Sequence, residues 1–359
     1  VDYSRRHSSN GDLSTESSGG EGKPGCRRLH MDSGDDRRYT PAGDGLLLFD
    51  GIRDLRVGVL MMRSTPILIV LLVFVLRQSG QAGEQVRETR IRVANRAGVP
   101  AIEVLSGDEV MLTSPAEGLW SFATNWQESW ATGWHHVQPE KVSQHGPWTI
   151  LEGTFESNAG TWRFRDAYRP RGRTVESVRR WEWHGESIAE RTTLAIRWQA
   201  PEAKGQVLLP GILYYGNPSG AASKRTPVFS EQAPRALFEE HRYPLPYASL
   251  EWMDGNRRVG AALHSLPAPV PYATLPDQWW SLGLQYRAGA VELALLSGAT
   301  ASNGQDSVIK ARQQGFVPYD NAYLNVPSGA IIDKRFYLQT SPVADRGSGF
   351  RHAVWQSVK

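Results

Sequence analysis

Apolar and polar residues alternate with a period of two over much of the chain from residue 85 onward. Around residues 161–166, Trp162 and Phe164 fall on one face, whereas Arg163 and Arg165 fall on the other. Because successive side chains of a strand point to opposite faces, this pattern predicts strands with one buried face. Prolines scattered between residues 139 and 246 disfavour helices over the same part of the chain.

Turn residues divide this part of the chain into strand-length pieces. AspGlyAsn at 254–256 and ArgAlaGly at 287–289 are typical of tight hairpin turns, which need positive φ angles. The runs 180–184 and 193–198 each carry apolar residues on one face, and their closeness in sequence predicts neighbouring antiparallel strands. Together these features predict an all-β fold, a large antiparallel β-sandwich. Further strands are predicted at 86–94, 148–156, 206–215, 236–243, 247–253, 258–266, 278–287, 290–297 and 330–340.

The first 60 residues have a different composition. They are rich in Ser, Gly, Asp and Arg and have no sustained apolar periodicity, so we expect a disordered segment. Met61 and Met62 then stand before a signal-like segment. Since signal peptides start at the initiator methionine, we expect that residues 1–60 are not translated.

A signal-peptide helix is predicted at 61–83. Arg63 is followed by the apolar run Pro66–Leu76 and then by the small residues Gly80 and Ala82. This order matches the charged, apolar and small-residue regions of a signal peptide. The apolar run is too short to cross a bilayer, which needs roughly 20 residues. We therefore expect a secreted or periplasmic protein with no stable membrane span after cleavage; a membrane anchor or a buried core element are the alternatives.

The remaining chain divides into a sandwich domain at 84–342 and the start of a linker helix at 343–359. The helix is predicted because Phe350, Val354 and Val358 recur near helical spacing.

Composition narrows the function classes. The net charge of +3 is small, and basic and acidic residues are interspersed, so a nucleic-acid surface is not expected. Cys26 is the only cysteine, which leaves the sandwich without a disulfide or a thiolate metal site. Sequence motifs of nucleotide-binding proteins, zinc proteases and serine hydrolases are missing, so the sequence predicts no cofactor and no metal.

Tryptophan is the most informative residue type. All 13 tryptophans lie at or after residue 120, and aromatic faces suit the apolar planes of sugar rings. The tryptophans on predicted strands are expected in the core: Trp162, Trp181, Trp183 and Trp198. The segment 122–136 is expected to be a polar loop that either lines a ligand site or packs as a capped loop. Its candidate substrate-binding residues are Trp126, Glu128, Trp130, Trp134 and His136.

Candidates for acid–base chemistry are weaker. Glu239 and His241 would share a face of a strand, with Arg242 beside them as a further binding candidate. His135 is a third catalytic candidate, but adjacent strand residues point to opposite faces, so His135 and His136 are not expected to serve one metal. For each histidine a hydrogen-bonded structural role is the alternative.

Tyr214 and Asn217 are two further binding candidates. They lie in the string LeuLeuProGlyIleLeuTyrTyrGlyAsnPro at 208–218, where their side chains could bind a sugar by hydrogen bonds. A structural turn is the alternative for this string.

This string, the succession of strands and the closing SerGlyPheArgHisAlaValTrp at 348–355 resemble a known family. The chain is similar to the N-terminal β-supersandwich, or galactose-mutarotase-like, domain of bacterial six-hairpin glycoside hydrolases. The resemblance implies a sandwich that packs against a helical barrel, which holds the catalytic acids. The sequence has no such barrel, so no catalytic residue is carried over, and we expect the chain to be the front part of a longer protein.

The sequence therefore predicts an exported carbohydrate-binding or carbohydrate-processing sandwich, which would be glycoside hydrolase-like if a helical domain completed it. One alternative is a mutarotase- or lyase-like enzyme that uses His and Glu as acid and base. The other is a structural or adhesion module without catalysis.

Overall fold

The computed structural model describes seven stretches of the chain between residues 88 and 358, namely 88–127, 130–201, 205–217, 227–274, 278–287, 289–298 and 322–358. The predicted disordered segment 1–60, the predicted signal segment 61–83 and the candidate residue Glu128 lie outside the described residues.

The described residues form β-strands with one terminal α-helix. The strands are β1 (Thr89–Arg96), β2 (Val99–Ser106), β3 (Glu109–Thr113), β4 (Trp120–Gln127), β5 (Trp130–Val137), β6 (Lys141–His145), β7 (Trp148–Ser157), β8 (Gly160–Arg171), β9 (Thr174–Gly185), β10 (Ala189–Gln199), β11 (Gln206–Leu209), β12 (Leu213–Tyr214), β13 (Arg235–Glu239), β14 (Tyr247–Asp254), β15 (Arg257–Ser265), β16 (Ser281–Arg287), β17 (Ala290–Leu296), β18 (Leu324–Val326) and β19 (Ile331–Val343). The helix is α1 (Ser348–Ser357).

These strands pair antiparallel in two sheets. A ten-stranded sheet has the order β1-β2-β3-β10-β17-β16-β13, and the hairpin β4–β5 and the short β18 also pair along β10. A nine-stranded sheet has the order β12-β11-β14-β15-β19-β9-β8-β7-β6. The predicted antiparallel β-sandwich is confirmed.

Large aromatic side chains fill the space between the sheets. Trp120 of the ten-stranded sheet stacks on Phe164 of the nine-stranded sheet at 5.5 Å between ring centroids. Trp181 of β9 stacks in the same way on Trp280, which precedes β16, at 5.6 Å. The four tryptophans predicted for the core are each buried there: Trp162, Trp181, Trp183 and Trp198.

A buried ion pair also joins the two sheets. The Arg179 guanidinium donates to both carboxylate oxygens of Asp166, with 2.7 Å from Nη2 to Oδ2, and to the carbonyl of Ala195 in the opposite sheet. Trp120 donates its indole N–H to the same carboxylate at 2.7 Å, and the Tyr168 hydroxyl donates to it as well. This pair is hydrogen-bonded on all sides, as a buried charge requires.

Two predictions about strand pairing and local structure were wrong. The runs in β9 and β10 are not neighbours, because β9 pairs with β8 and β19 whereas β10 belongs to the opposite sheet. Both runs point their tryptophans into the shared core, so the short turn between them moves the chain from one sheet to the other. The expected loop at 122–136 is instead the β4–β5 hairpin.

The strand predicted at 236–243 ends early. β13 stops at Glu239, and a 3₁₀ turn covers Glu240–Arg242. In this turn the buried carboxylate of Glu240 accepts two hydrogen bonds from the ammonium of Lys334, at 2.7 and 2.9 Å. Burial lowers the pKa of Lys334 despite the charge of Glu240. The pair ties the turn to β19.

The predicted C-terminal helix is present as α1. Phe350 and Ala353 pack on a small cluster that includes Tyr247 of β14 and Ala262 of β15. The Glu251 carboxylate accepts N–H bonds from Gly347, Gly349 and Phe350 at the N-terminus of the helix, where a negative charge is favourable. Within the described stretches, no helix is both long and apolar enough to cross a membrane.

Candidate functional site

The β4–β5 hairpin sends alternate side chains to opposite faces of the ten-stranded sheet. Trp134 pairs with Ala123 and His136 with Ser121, and both point away from the core. His135 lies between them and points inward, where its ring packs 5.1 Å from Phe122. Burial lowers the pKa of His135. The structure therefore places His136, and not His135, on the outer face.

A row of polar side chains crosses this outer face in strict register. Arg235 of β13 lies opposite Gln285 of β16, which lies opposite Glu292 of β17, which lies opposite Gln199 of β10. The Glu292 carboxylate accepts from Gln285 at 2.6 Å and from Gln199 at 2.9 Å. Four strands thus contribute one side chain each to a continuous band.

The next row of residues on this outer face is apolar. Leu237, Gly283 and Ala294 lie side by side on β13, β16 and β17. A β-carbon on Gly283 would lie 1.9 Å from the Ala236 carbonyl oxygen, so only glycine allows this close approach of β13. Trp130 and Trp134 pack half-buried against this apolar floor.

Arg197 is the centre of the polar network on this face. Its buried guanidinium binds Glu292 through Nε at 2.8 Å and through Nη2. Nη2 also donates to Glu117 at 2.7 Å, and Nη1 donates to Ser121 at 3.1 Å. Burial alone would raise the pKa of Glu117, but hydrogen bonding and charge from Arg197, with the charge of Arg287, hold that pKa below its usual value.

His136 belongs to the same network as a neutral imidazole. Arg287 Nη2 lies 3.0 Å from His136 Nε2, and Ser121 Oγ lies 2.9 Å from Nδ1. Because arginine only donates, Nε2 accepts, and the ring proton resides on Nδ1. Burial, together with the charges of Arg197 and Arg287, lowers the pKa of His136 to about 4. Both ring nitrogens are therefore already in use.

Two arginines and two tryptophans line a shallow pocket of about 280 Å³ beside this network. The Arg235 guanidinium lies 4.0 Å from the centroid of the Trp130 ring, and that of Arg287 lies 5.9 Å from the centroid of Trp134. Arg287 also contacts Glu117 at 3.4 Å. Burial lowers the pKa of Arg235, and among the described residues no carboxylate pairs with it.

Trp126 is part of the structure that supports this site. Its indole N–H donates to Thr193 Oγ1 at 2.9 Å, and the ring is buried against Ala123, Ala131 and Ala322. Trp126 holds the hairpin to β10.

The Glu239–His241 pair does not form as expected. Glu239 ends β13 and binds Arg242 at 3.2 Å, whereas His241 lies in the following 3₁₀ turn with its ring 5.5 Å from Trp279. Because the strand ends at Glu239, the two side chains do not share a strand face.

Tyr214 and Asn217 lie at the β12 edge of the nine-stranded sheet and act on their own turn. Asn217 accepts from the Tyr214 N–H at 3.0 Å and donates to the carbonyls of Ile212 and Pro227. The Tyr214 hydroxyl accepts from the Gly211 N–H at 3.0 Å. These contacts are those of a structural turn, which was the alternative expected for this string. The structure does not bring Tyr214 and Asn217 to the tryptophans.

A larger pocket, about 540 Å³, opens on the nine-stranded sheet beside α1. Its lining includes Arg171, His264 and Tyr337 but no tryptophan. His264 is buried, with Nδ1 2.9 Å from Ser357 Oγ and Nε2 2.8 Å from Gln339 Oε1. These bonds fasten α1 to the sheet. We therefore place the candidate site in the smaller pocket, where the guanidinium groups of Arg235 and Arg287 meet the faces of two tryptophans.

Sequence reasoning missed the charged half of the site. Arg197 and Arg235 sit in runs that read as ordinary amphipathic strands, in which a polar residue on the outer face needs no partner. The one available signal was that Glu292 lies on β17, a strand whose other residues are all apolar. The pairing of Arg197 with Glu292 across 95 residues depends on the β10–β17 register, which the sequence does not show.

No protein-family model matches the chain, and no match was found among curated proteins. Among solved structures, the chain is similar to a putative aldose 1-epimerase from Escherichia coli, with 11% identity, 71% of this chain and 97% of that chain covered, and a TM-score of 0.36. It is also similar to a protein from Synechocystis (10% identity, 72% and 93% covered, TM-score 0.37). A galactose mutarotase related enzyme from Lactobacillus acidophilus is a third (10% identity, 71% and 97% covered, TM-score 0.28).

Two of these three proteins are described as an aldose 1-epimerase and as a galactose mutarotase related enzyme. The likeness is one of fold. Since the TM-scores lie below 0.5, the function argued next rests on the residues of this chain alone.

Proposed function

We propose that this chain is a carbohydrate-binding β-sandwich whose ligand lies against Trp130 and Trp134 on the outer face of the ten-stranded sheet. The observation that carries the proposal is the pocket in which these two half-buried indoles meet the guanidinium groups of Arg235 and Arg287. Aromatic faces bind the apolar face of a sugar ring, and planar donors bind its oxygens. At about 280 Å³, the pocket is slightly smaller than the range of about 300–1,000 Å³ that is usual for ligand sites.

The geometry favours binding over acid–base catalysis. Glu292 accepts hydrogen bonds from Arg197, Gln199 and Gln285, and Glu117 is bound to Arg197. His136 uses one ring nitrogen to accept from Arg287 and the other to bind Ser121. General acid–base work needs a group that can exchange a proton with the substrate near the working pH. These three groups instead hold the arginines in position.

We extend the proposal in two ways: the protein is exported, and the sandwich is part of a glycoside hydrolase-like protein. Export is supported by the signal-like run Pro66–Leu76, and the wider protein is supported by the resemblance of the sandwich and its closing helix. Cell fractionation of the full chain tests export. A processed protein outside the cytoplasm is expected, and an unprocessed cytoplasmic chain would contradict it.

The binding proposal is tested by titrating the protein with neutral and acidic oligosaccharides while intrinsic fluorescence and heat are recorded. At least one glycan is expected to bind, and Trp134→Ala is expected to weaken its binding about tenfold or more, because the aromatic platform is lost. Trp134→Phe keeps an aromatic ring and should therefore retain part of the affinity. It serves as the control for a folding defect in Trp134→Ala.

Trp355→Ala is the matched control. Trp355 is 68% exposed on α1, which packs on the other sheet, so its removal should leave binding unchanged. Binding that is equally strong in Trp134→Ala and in the native chain would overturn the proposed site.

A further inference from the structure

The charge of the Trp130–Trp134 pocket is not balanced. Among the described residues around this pocket, the charged groups in contact with one another or with its tryptophans are the guanidinium groups of Arg197, Arg235 and Arg287 and the carboxylates of Glu117 and Glu292. A single arginine, Arg197, binds both carboxylates. Glu292 also accepts hydrogen bonds from Gln199 and Gln285. Positive charge is therefore in excess where the pocket opens.

Arg235 is the group through which this excess reaches a ligand. Its guanidinium lies over the Trp130 ring, its backbone is in register with Gln285, and burial lowers its pKa. Among the described residues no carboxylate pairs with this half-buried guanidinium, which has therefore lost part of its hydration without gaining a counter-charge from them. An anion at this point would restore that balance.

Arg287 provides a second donor group in the lining of the pocket, near Trp134. Its Nε contacts Glu117 at 3.4 Å, and one Nη donates to the neutral ring of His136 at 3.0 Å. A guanidinium has five N–H donors, so these contacts leave further donors for a ligand. The neutral state of His136 matters here, because a protonated imidazole could not accept from Arg287.

We propose that the pocket selects an anionic sugar, one whose pyranose ring packs on Trp130 or Trp134 while its carboxylate or sulfate group binds Arg235 and Arg287. This inference rests on the proposed function and specifies its ligand class. Arginine binds carboxylate and sulfate groups in the same bidentate way, which is the chemistry the two ligand types share. Leu237 and Ala294 pack beneath Trp130 and Trp134, so the two indoles that would hold the sugar ring rest on an apolar support.

Calorimetric titration of the full chain with three ligands tests the inference. The ligands are an oligogalacturonate, the same oligomer with its carboxyl groups reduced to alcohols, and a sulfated galactan oligosaccharide. We expect the oligogalacturonate or the sulfated oligomer to bind about ten- to a hundredfold more tightly than the reduced oligomer, as for a charged hydrogen bond. The stronger of the two anionic arms identifies which group the pocket prefers.

Arg235→Gln isolates the charge. It should remove most of the preference for the anionic ligand and leave the affinity for the reduced oligomer within about threefold. Arg163→Gln, on the exposed outer face of the nine-stranded sheet, changes the net charge equally and should preserve the preference.

Two results would overturn the inference, and they are distinguishable. If the reduced oligomer binds as tightly as the anionic ones and Trp134→Ala abolishes this binding, the ligand is neutral and the proposed function stands. If none of the three ligands nor any glycan of the wider panel binds, the proposed function fails together with the inference.

Discussion

At the scale of single residues, two histidines, His136 and His264, act as neutral hydrogen-bonding groups. His136 accepts from Arg287, and His264 bridges Gln339 of β19 and Ser357 of α1. Burial lowers the pKa of each to about 4, with a further contribution at His136 from the charges of Arg197 and Arg287. The fold therefore favours the uncharged ring at both positions.

These lowered pKa values predict that acid destabilises the fold. In the unfolded chain a histidine titrates near pH 6.5, so the unfolded state takes up the proton first as the pH falls. The stabilisation is complete above about pH 6.5 and is lost as the pH falls toward 4, with a slope of about 1.4 kcal/mol per pH unit for each histidine.

His264→Gln tests this expectation, because Gln has no charged form. Urea unfolding at pH 7 and pH 5 should show a smaller loss of stability in this variant than in the native chain. His145→Gln, on the exposed face of β6, serves as the control and should behave like the native chain. An identical pH dependence in the His264→Gln and native proteins would contradict the account.

At the scale of elements, charged pairs have two different roles. Asp166 and Arg179 are buried between β8 and β9 and reach Trp120 and Ala195 of the opposite sheet. Arg180 and Asp333 form a similar bidentate pair, at 2.8 Å for each contact, but on the exposed face of β9 and β19. The chemistry is the same, and only the burial differs.

Asp166→Asn should therefore cost about 3–5 kcal/mol of unfolding free energy, because it leaves the Arg179 guanidinium buried without a negative partner. Asp333→Asn, the matched exposed change, should cost no more than about 1 kcal/mol. Urea unfolding monitored by circular dichroism measures both. Equal losses in the two variants would show that the buried pair does not join the sheets as described.

The elements also show how much of the fold the sequence could predict. The period-two alternation of apolar residues was sufficient to predict most strands from β7 onward. The helical spacing of Phe350 and Val354 was sufficient to predict α1. Alternation does not specify sheet membership, which is why β9 and β10 were paired in error. The β4–β5 hairpin was taken for a loop because its outward side chains are polar or aromatic. The hydrogen-bonding partners of these side chains, such as Arg197 for Ser121 and Arg287 for His136, lie far away in sequence.

At the scale of the whole molecule, the two outer faces of the sandwich differ. The outer face of the nine-stranded sheet carries α1 and exposed ion pairs such as Lys141–Glu152 at 3.0 Å. The outer face of the ten-stranded sheet carries the buried Arg197 network and the half-buried indoles. The sequence predicted Trp130, Trp134 and His136 as candidate binding residues, because tryptophans on polar segments are unusual. It could not identify Arg235 or Arg287, whose role depends on register.

A ligand bound on this outer face should contact both Trp130 and Trp134. The most direct measurement is fluorine NMR of the chain labelled with 5-fluorotryptophan, with resonances assigned by single Trp→Phe variants. On titration with oligogalacturonate, the resonances of Trp130 and Trp134 should shift together, whereas that of Trp355 on α1 should not. Saturable shifts confined to other tryptophans, or no shift in any of them with every glycan tried, would contradict the account.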